Sequence, residues 1–266
     1  MSTRASDRAT AFGRHLKQWR RHRGLSQLEL AVRAGVSQRY LSFIETGRSR
    51  PGEQVVERVA EALEIPLRER NMILAAAGLA PRYPEMLLTD EAVAPFRTAV
   101  RHMLNTHEPY PAYVINRWWD LVDANAAGYQ MLGFALDEPV NAVDILFGPG
   151  LVRDTVENFG AVAWAFLRRL RREAADAGSD ERLHQILERA EGYMSDVPVP
   201  YDDAGDGFVV CPRWRIGDQV ITTLTMVARF GNAHEVTLDE LRVELVYPGD
   251  ADAEKFFRQS AQASGR

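Results

Sequence analysis

A serine opens and a glycine closes each of two short apolar segments set in series over residues 25–47, and this limits the fold more than anything else in the chain. The hydroxyl of Ser26 can accept from an otherwise unpaired backbone N–H, which predicts a helix running to about Ala34. Gly35 can take the left-handed conformation that a tight turn needs. Ser37 then caps a second helix, Gln38 to Thr46, and Gly47 stops it. Ala31 is small where two steeply crossing helices must nearly touch. Leu28, Val36, Leu41 and Ile44 fall where such a pair buries its inner face, leaving Gln38, Arg39, Ser42 and Phe43 outward. Side chains presented in this way can reach base edges in a major groove.

A helical hairpin buried inside a larger α domain is the competing reading, since αα turns with glycine are common. Charge decides against it. Residues 1–50 hold eleven Lys or Arg against three Asp or Glu, and residues 1–82 hold fifteen against eight. The rest of the chain carries seventeen against twenty-nine, so the formal net charge of −5 hides a basic head on an acidic body. Phosphate neutralisation asks for that basic head, and the acidic body limits non-specific adhesion.

With 266 residues, 46% of them hydrophobic, the chain is long enough for two packed cores. No apolar run reaches membrane-spanning length, and Met1 to Arg8 lacks the apolar core of a signal peptide. A single cysteine, Cys211, excludes an internal disulfide and a cysteine-rich zinc site, which fits a reducing cytoplasm.

Periodicity predicts five helices for an all-α domain over residues 10–80, with the helix-turn-helix second and third. Phe12, Leu16 and Trp19 stripe the first helix; Val55 to Leu63 and Leu67 to Ala77 mark the last two. A linker over 81–89 leads to an α+β domain over 90–262. There, Glu91–Thr106 reads as a helix, Ala112–Asn116 and Trp118–Ala124 as strands, and the Phe159–Leu170 stripe as a long helix ending in the run Arg168–Arg172. The period then changes to two over Phe208–Ile216, Val220–Phe230 and Leu241–Tyr247. The expected product is a five-stranded antiparallel sheet in a two-plus-three arrangement, cupped by helices inserted after the second strand.

Ile216-Gly217-Asp218-Gln219 is a hairpin signal. If Ile216 pairs with Gln219, then Val209, Cys211, Arg213 and Arg215 share a face with Val220, Thr222, Leu224, Met226 and Phe230. That face is apolar with two guanidiniums near one end, the chemistry that an acidic apolar ligand wants. The competing reading is an ordinary core from which both arginines reach water, and a one-residue slip reverses the assignment. Arg117 is a third candidate for a carboxylate, and Cys211 reads as a small buried hydrophobe. The histidines are scattered without metal-pair spacing, and no nucleophile elbow or phosphate loop occurs, so neither catalysis nor a cofactor is expected.

Residues 10–80 closely resemble the Cro-type helix-turn-helix of the xenobiotic-response-element family of bacterial regulators. Gly24-Leu25-Ser26-Gln27, Ala34-Gly35-Val36-Ser37, Tyr40-Leu41-Ser42, Ile44-Glu45-Thr46-Gly47-Arg48 and Arg50-Pro51 carry the likeness. The resemblance implies that Gln38, Arg39, Ser42 and Phe43 read bases, while Gln27, Ser37, Tyr40, Arg48 and Arg50 hold phosphates. It also implies a homodimer on a palindromic operator. Residues 90–262 resemble the MmyB-like ligand-binding domain through Pro111–Asp120, Asn125-Ala126-Ala127 and the stretch Phe230–Glu244. That likeness implies a PAS-like fold able to bind a fatty acid. Many members carry His-Pro where this chain has Cys211-Pro212. Arg117, Cys211, Arg213, Arg215, Leu224 and Met226 are the ligand candidates on these combined grounds. A body that serves only dimerisation or partner docking, with no small ligand, is the alternative.

Overall fold

In the computed structural model, the described residues are 2–133, 139–178, 180–200 and 209–264. They divide into two compact units, Met1–Glu85 with His234–Val236, and Met86–Ala233 with Thr237–Arg266.

Five helices build the first unit: α1 (Ser2–His22), α2 (Gln27–Arg33), α3 (Gln38–Glu45), α4 (Glu53–Ala62) and α5 (Leu67–Ala76). Both serine caps form. Ser26 Oγ accepts from the Glu29 amide at 3.2 Å while the Glu29 carboxylate accepts from the Ser26 amide at 2.7 Å, a reciprocal capping box. Ser37 Oγ accepts from the Tyr40 amide at 3.1 Å. Gly35 (φ +62°) and Gly47 (φ +71°) end the two helices in the left-handed region.

The core collects Phe12, Leu16 and Trp19 of α1, Leu30, Ala31 and Ala34 around α2, Leu41 and Ile44 of α3, and Val56, Val59 and Leu74. Leu28, expected inside, is 56% exposed, and Leu30 takes the buried position. A helix of two turns carries both leucines, and apolar period alone does not choose between them. Gly13 lets α1 and α3 meet: a Cβ there would fall inside contact distance of the Glu45 carbonyl oxygen and 2.8 Å from that of Ile44.

In the second unit a short 3₁₀ turn (Glu91–Val93) leads into α6 (Ala94–Thr106), with Pro95 in its first turn. Strands β1 (Ala112–Ile115) and β2 (Leu121–Ala124) follow, then α7 (Ala126–Leu132), α8 (Ala142–Phe147), α9 (Leu151–Thr155), α10 (Phe159–Asp176) and α11 (Glu181–Tyr193). The chain closes with β3 (Arg213–Ile216), β4 (Gln219–Ala228), α12 (Val236–Glu240), β5 (Arg242–Pro248) and α13 (Ala251–Ser264). The sheet is antiparallel throughout, in the order β2-β1-β5-β4-β3. Val100 and Leu104 of α6 pack with Ala112, Val114 and Val243 on one face. The other face, carrying Tyr113, Ile115, Leu121 and Val246, packs with residues of α8, α10 and α11.

Two expectations are corrected here. The run Arg168–Arg172 lies within α10, which continues to Asp176, because Arg169 and Arg171 pair with Glu173 and Glu191 instead of ending the helix. Residues 116–120, divided above between two strands, form a tight turn: Asn116 Oδ1 accepts from the Trp118 and Asp120 amides, and Trp119 sits at φ +62°. The side chain of Trp119 is consequently driven into the interior, 1% exposed.

Candidate nucleic-acid interface and apolar cavity

On the first unit, Gln38 and Arg39 are exposed at the start of α3, and Ser42 and Phe43 are half-buried one turn on. The Arg39 guanidinium lies over the Phe43 ring at 5.4 Å, an i, i+4 stack that restricts its long side chain before any partner arrives. Ser37, Arg48 and Arg50 are exposed around the same helix, and Tyr40 is half-buried with its ring against the core. Two of the nine residues named for this surface have side chains already bonded: the Ser37 hydroxyl caps α3, and the Gln27 amide donates to the Glu45 carboxylate at 2.8 Å.

Glu45 is the residue that sequence reading missed. Arg20 meets it in a two-point fork, Nε to Oε1 at 2.6 Å and Nη2 to Oε2 at 3.0 Å, and Nη1 donates to the Leu25 carbonyl at 2.8 Å. The hydrogen bond to Glu45 raises the arginine pKa above its ordinary value, outweighing the cost of burial. A signal was present. Arg20 continues the four-residue spacing of Phe12 and Leu16, so a cation falls on a buried helix face and demands a buried anion. The pair fixes α1, the turn before α2 and the end of α3 to one another.

On the second unit, the inner face of the sheet and the helices over it form the walls of a partly open apolar cavity of about 90 Å³. Ile115, Trp119 and Leu121, Leu132 and Met131 of α7, Ile145 and Leu146 of α8, Phe166 of α10, and Trp214 and Val246 all contribute to its wall. Polar groups are few: Tyr113, Thr223, Thr225 and Glu244. The Trp214 indole is pinned by Thr223, to whose hydroxyl it donates at 2.9 Å. Tyr113 is buried, its hydroxyl has no hydrogen-bond partner among the described residues, and burial pushes its pKa far above the ordinary tyrosine value.

A cluster of four charges, Arg242 and Glu244 buried and Arg169 and Glu173 half-buried, borders this cavity through Glu244. Glu173 accepts from Arg169 at 3.0 Å, from Trp119 Nε1 at 2.8 Å and from Arg242, and Arg169 reaches on to Glu244 at 2.7 Å. The Trp119 ring carries both guanidiniums, at 5.2 and 5.5 Å. Burial alone would raise the Glu173 pKa. The attraction of Arg242 and Arg169, with hydrogen bonds from Arg242 and Trp119, overcomes it and leaves the group below its ordinary value. Exposed Arg229 approaches the same carboxylate at 3.8 Å.

A larger groove of about 620 Å³ adjoins the cavity, and Met131 and Trp214 belong to both walls. Arg215, Gln130, Phe256 and Phe257 line this groove. Arg215 pairs with Glu157, which Arg213 also approaches at 4.0 Å.

These positions revise the sequence-based ligand set. Ile216 does pair with Gln219, and Arg213 and Arg215 lie opposite Thr222 and Val220 as the register requires. The face they share looks away from the cavity, however. Leu224 on it is half-buried and Met226 is 58% exposed, while the alternate residues Trp214, Thr223 and Thr225 line the cavity. The apolar residues of β4 pointed to the wrong side because the cavity wall there is built from threonines. Arg117 is committed elsewhere, with Nε 3.0 Å from Asp180 and Nη1 2.5 Å from Glu240, so two carboxylates already face its one charge. Cys211 is half-buried, its carbonyl accepts from the Asn158 amide at 2.9 Å, and its neighbour Pro212 is the residue at the cavity wall.

Among the described residues no group of His, Cys, Asp and Glu is placed to hold a metal ion, and no helix is long and apolar enough to cross a membrane.

Comparison with known proteins follows the same division. Residues 16–70 match the helix-turn-helix family, and residues 96–259 match the MmyB-like transcription regulator ligand binding domain. Over 75 residues the chain is 36% identical to the uncharacterized HTH-type transcriptional regulator RghRB of Bacillus subtilis (strain 168), a match covering 28% of this chain and 52% of that one. It is 41% identical over 55 residues to the HTH-type transcriptional regulator SinR of the same organism, covering 20% and 50%. With SlrR, also of that organism, it shares 41% over 59 residues, covering 22% and 39%. The chain thus spans about half the length, or less, of these curated relatives. Among solved structures, the restriction-modification controller protein C.AhdI from Aeromonas hydrophila is 32% identical, covering 23% of this chain and 94% of that one, with a TM-score of 0.23. The chain belongs to the MmyB-like transcription regulators, a family of regulators and not of enzymes, with a helix-turn-helix head and that family's ligand-binding domain.

Proposed function

We propose that this protein is a ligand-responsive, sequence-specific DNA-binding regulator that acts in the cytoplasm as a homodimer on a palindromic operator. Gln38, Arg39, Ser42 and Phe43 read base edges, with Arg39 suited to the O6 and N7 of a guanine and Gln38 to an adenine. Ser37, Tyr40, Arg48, Arg50 and Gln27 hold phosphates and set the register, Gln27 through whatever its bond to Glu45 leaves available.

The ligand is a small apolar acid of the fatty-acid type. The observation carrying this reading is the apolar cavity inside the family's ligand-binding domain. Its charged cluster sets two guanidiniums against two carboxylates, so the acid end belongs outside, in the groove. There Arg215 is the cation of the wall and shares Glu157 with Arg213, so it can turn to a ligand carboxylate, while Glu108 is the carboxylate of the same wall. The cavity alone is smaller than the ~150 Å³ engineered cavity that takes benzene, and ligand pockets run to about 300–1,000 Å³. A long acyl chain therefore needs the Met131–Trp214 partition to yield and join cavity to groove, and Met131 is the flexible half of that partition. Arg117, Leu224 and Met226 have no part in this arrangement. Ligand then acts on DNA by binding two arrangements of the dimer unequally.

Native mass spectrometry of protein purified from cells, followed by lipid extraction, tests the proposal. The expected result is an added mass that extraction identifies as an acyl acid, and a changed operator affinity when it is removed. Protein without added mass, whose operator affinity ignores a panel of saturated fatty acids, would favour a body devoted to dimerisation or partner docking.

A further inference from the structure

The corner of the sheet that holds Tyr113 contrasts full with absent polar satisfaction. Asn125, buried beside it, meets its hydrogen-bonding capacity: Oδ1 accepts from the Ala112 and Gly128 amides, both at 2.9 Å, and Nδ2 donates to the carbonyls of Leu104 at 3.2 Å and Tyr110 at 2.8 Å. One residue along β1 from Ala112, the Tyr113 hydroxyl is buried and bonded to none of the described residues. Leaving such a group unpaired is costly, and phenylalanine would avoid the cost in the same volume. The ring is also closely held. Gly128 approaches it so nearly that a Cβ there would lie 2.9 Å from Tyr113 Cε1 and 2.8 Å from the Ala112 carbonyl oxygen. Tyr113 lines the cavity, and so does Glu244, which stands directly opposite it on β5.

We infer that the cavity's occupant carries an uncharged oxygen function, a hydroxyl or carbonyl, that pairs with Tyr113 at its buried end. This rests on the proposal that the cavity takes a ligand, and it narrows the ligand from a plain hydrocarbon tail to an oxygen-bearing one. The group is uncharged because the two guanidiniums stacked on Trp119 are already engaged by carboxylates, and the third, Arg229, is exposed and takes no part in the cavity wall. Arg169 and Arg242 are engaged by Glu173 and Glu244, so a carboxylate brought beside Tyr113 would meet the Glu244 anion with no cation to spare. Glu244 can in turn accept from a ligand hydroxyl. The acidic end of an acyl ligand stays at Arg215, and the polar substituent sits on the chain, remote from it.

Phenol and benzene differ by the relevant hydroxyl, and the room they need beyond the cavity's own volume is what the yielding of Met131 would supply. Titration calorimetry on the full chain and on Tyr113→Phe would read the difference. Wild type is expected to bind phenol at least as tightly as benzene, and Tyr113→Phe to keep benzene while losing phenol affinity about tenfold or more. Retained benzene binding also certifies that the variant is folded. Should Tyr113→Phe fail to fold, isotope-labelled tyrosine in the wild-type chain gives the second reading: phenol, and not benzene, shifts the Tyr113 ring signal. Benzene binding without phenol binding, or phenol affinity unchanged in the variant, overturns the inference and leaves the cavity reading in place. Binding of neither compound overturns both.

Discussion

Each unit buries ionised side chains, and each does so for a different end. In the head, Arg20 and Glu45 satisfy one another and nearby backbone, at a junction of three chain segments packed so closely that α1 needs glycine at position 13. Their mutual bonds are complete, and the side chains proposed to read DNA stand outside on α3. In the body, four charges balance beside an incompletely filled interior, and a hydroxyl there stays unpaired. Where packing is complete, a buried ion pair sets geometry; where it is incomplete, the polar groups bordering the gap select what fills it.

The largest effect expected from this contrast lies in the head. Arg20→Ala leaves the Glu45 carboxylate buried without its cation and should cost about 3–5 kcal/mol, read from urea denaturation followed by helical circular dichroism. A loss below about 1 kcal/mol would mean that the junction relaxes and that its geometry is not set by the pair.

Next come the outward side chains. Arg39→Ala should cost about 1–3 kcal/mol of operator binding, concentrated at one base position. Arg50→Ala should weaken all sequences alike and lower the slope of log K against log salt by about one unit. Equal losses across operator variants for Arg39→Ala would remove it from the base-reading set.

In the body, Ala142→Leu adds three carbons at the cavity wall. It should stabilise the unit by about 1 kcal/mol while abolishing benzene uptake. Destabilisation there, in a thermal melt, would show that the interior cannot take up that volume.

The smallest effect is acid sensitivity. The folded pKa of Glu173 lies below its ordinary 4.5, so its contribution is fully present above that value and drains away as pH falls through the lower folded one. Glu29, lowered by its two hydrogen bonds with Ser26, follows the same sign. Tryptophan emission, sensitive to the Trp119–Glu173 bond, should therefore stay level from pH 7 to about pH 5 and change only below about pH 4. A transition near neutrality would contradict the assignment.

Legibility in the sequence followed the same contrast. The head could be read because local chemistry fixes it: Ser26, Gly35, Ser37 and Gly47 each dictate a backbone event within four residues. What escaped was the long-range partner of Arg20 and the choice between Leu28 and Leu30. In the body, hairpin register was legible, because Gly217-Asp218 sets it locally. Which sheet face meets the cavity was not, since that depends on helices inserted between β2 and β3, and the lining threonines carry no apolar signal. Trp119 was hidden for a related reason: its left-handed backbone comes from Asn116 closing a turn, while its composition reads as strand.

The partition between cavity and groove has one stiff half and one pliant half. The Trp214 indole is tethered to Thr223, whereas Met131 turns about three single bonds. If the proposed guest enters there, a thioether swinging aside sets the timing of its traffic, separately from how strongly it is held. A guest lodged behind that door would outlast the fall in its supply, and the promoter would go on answering to a concentration already gone.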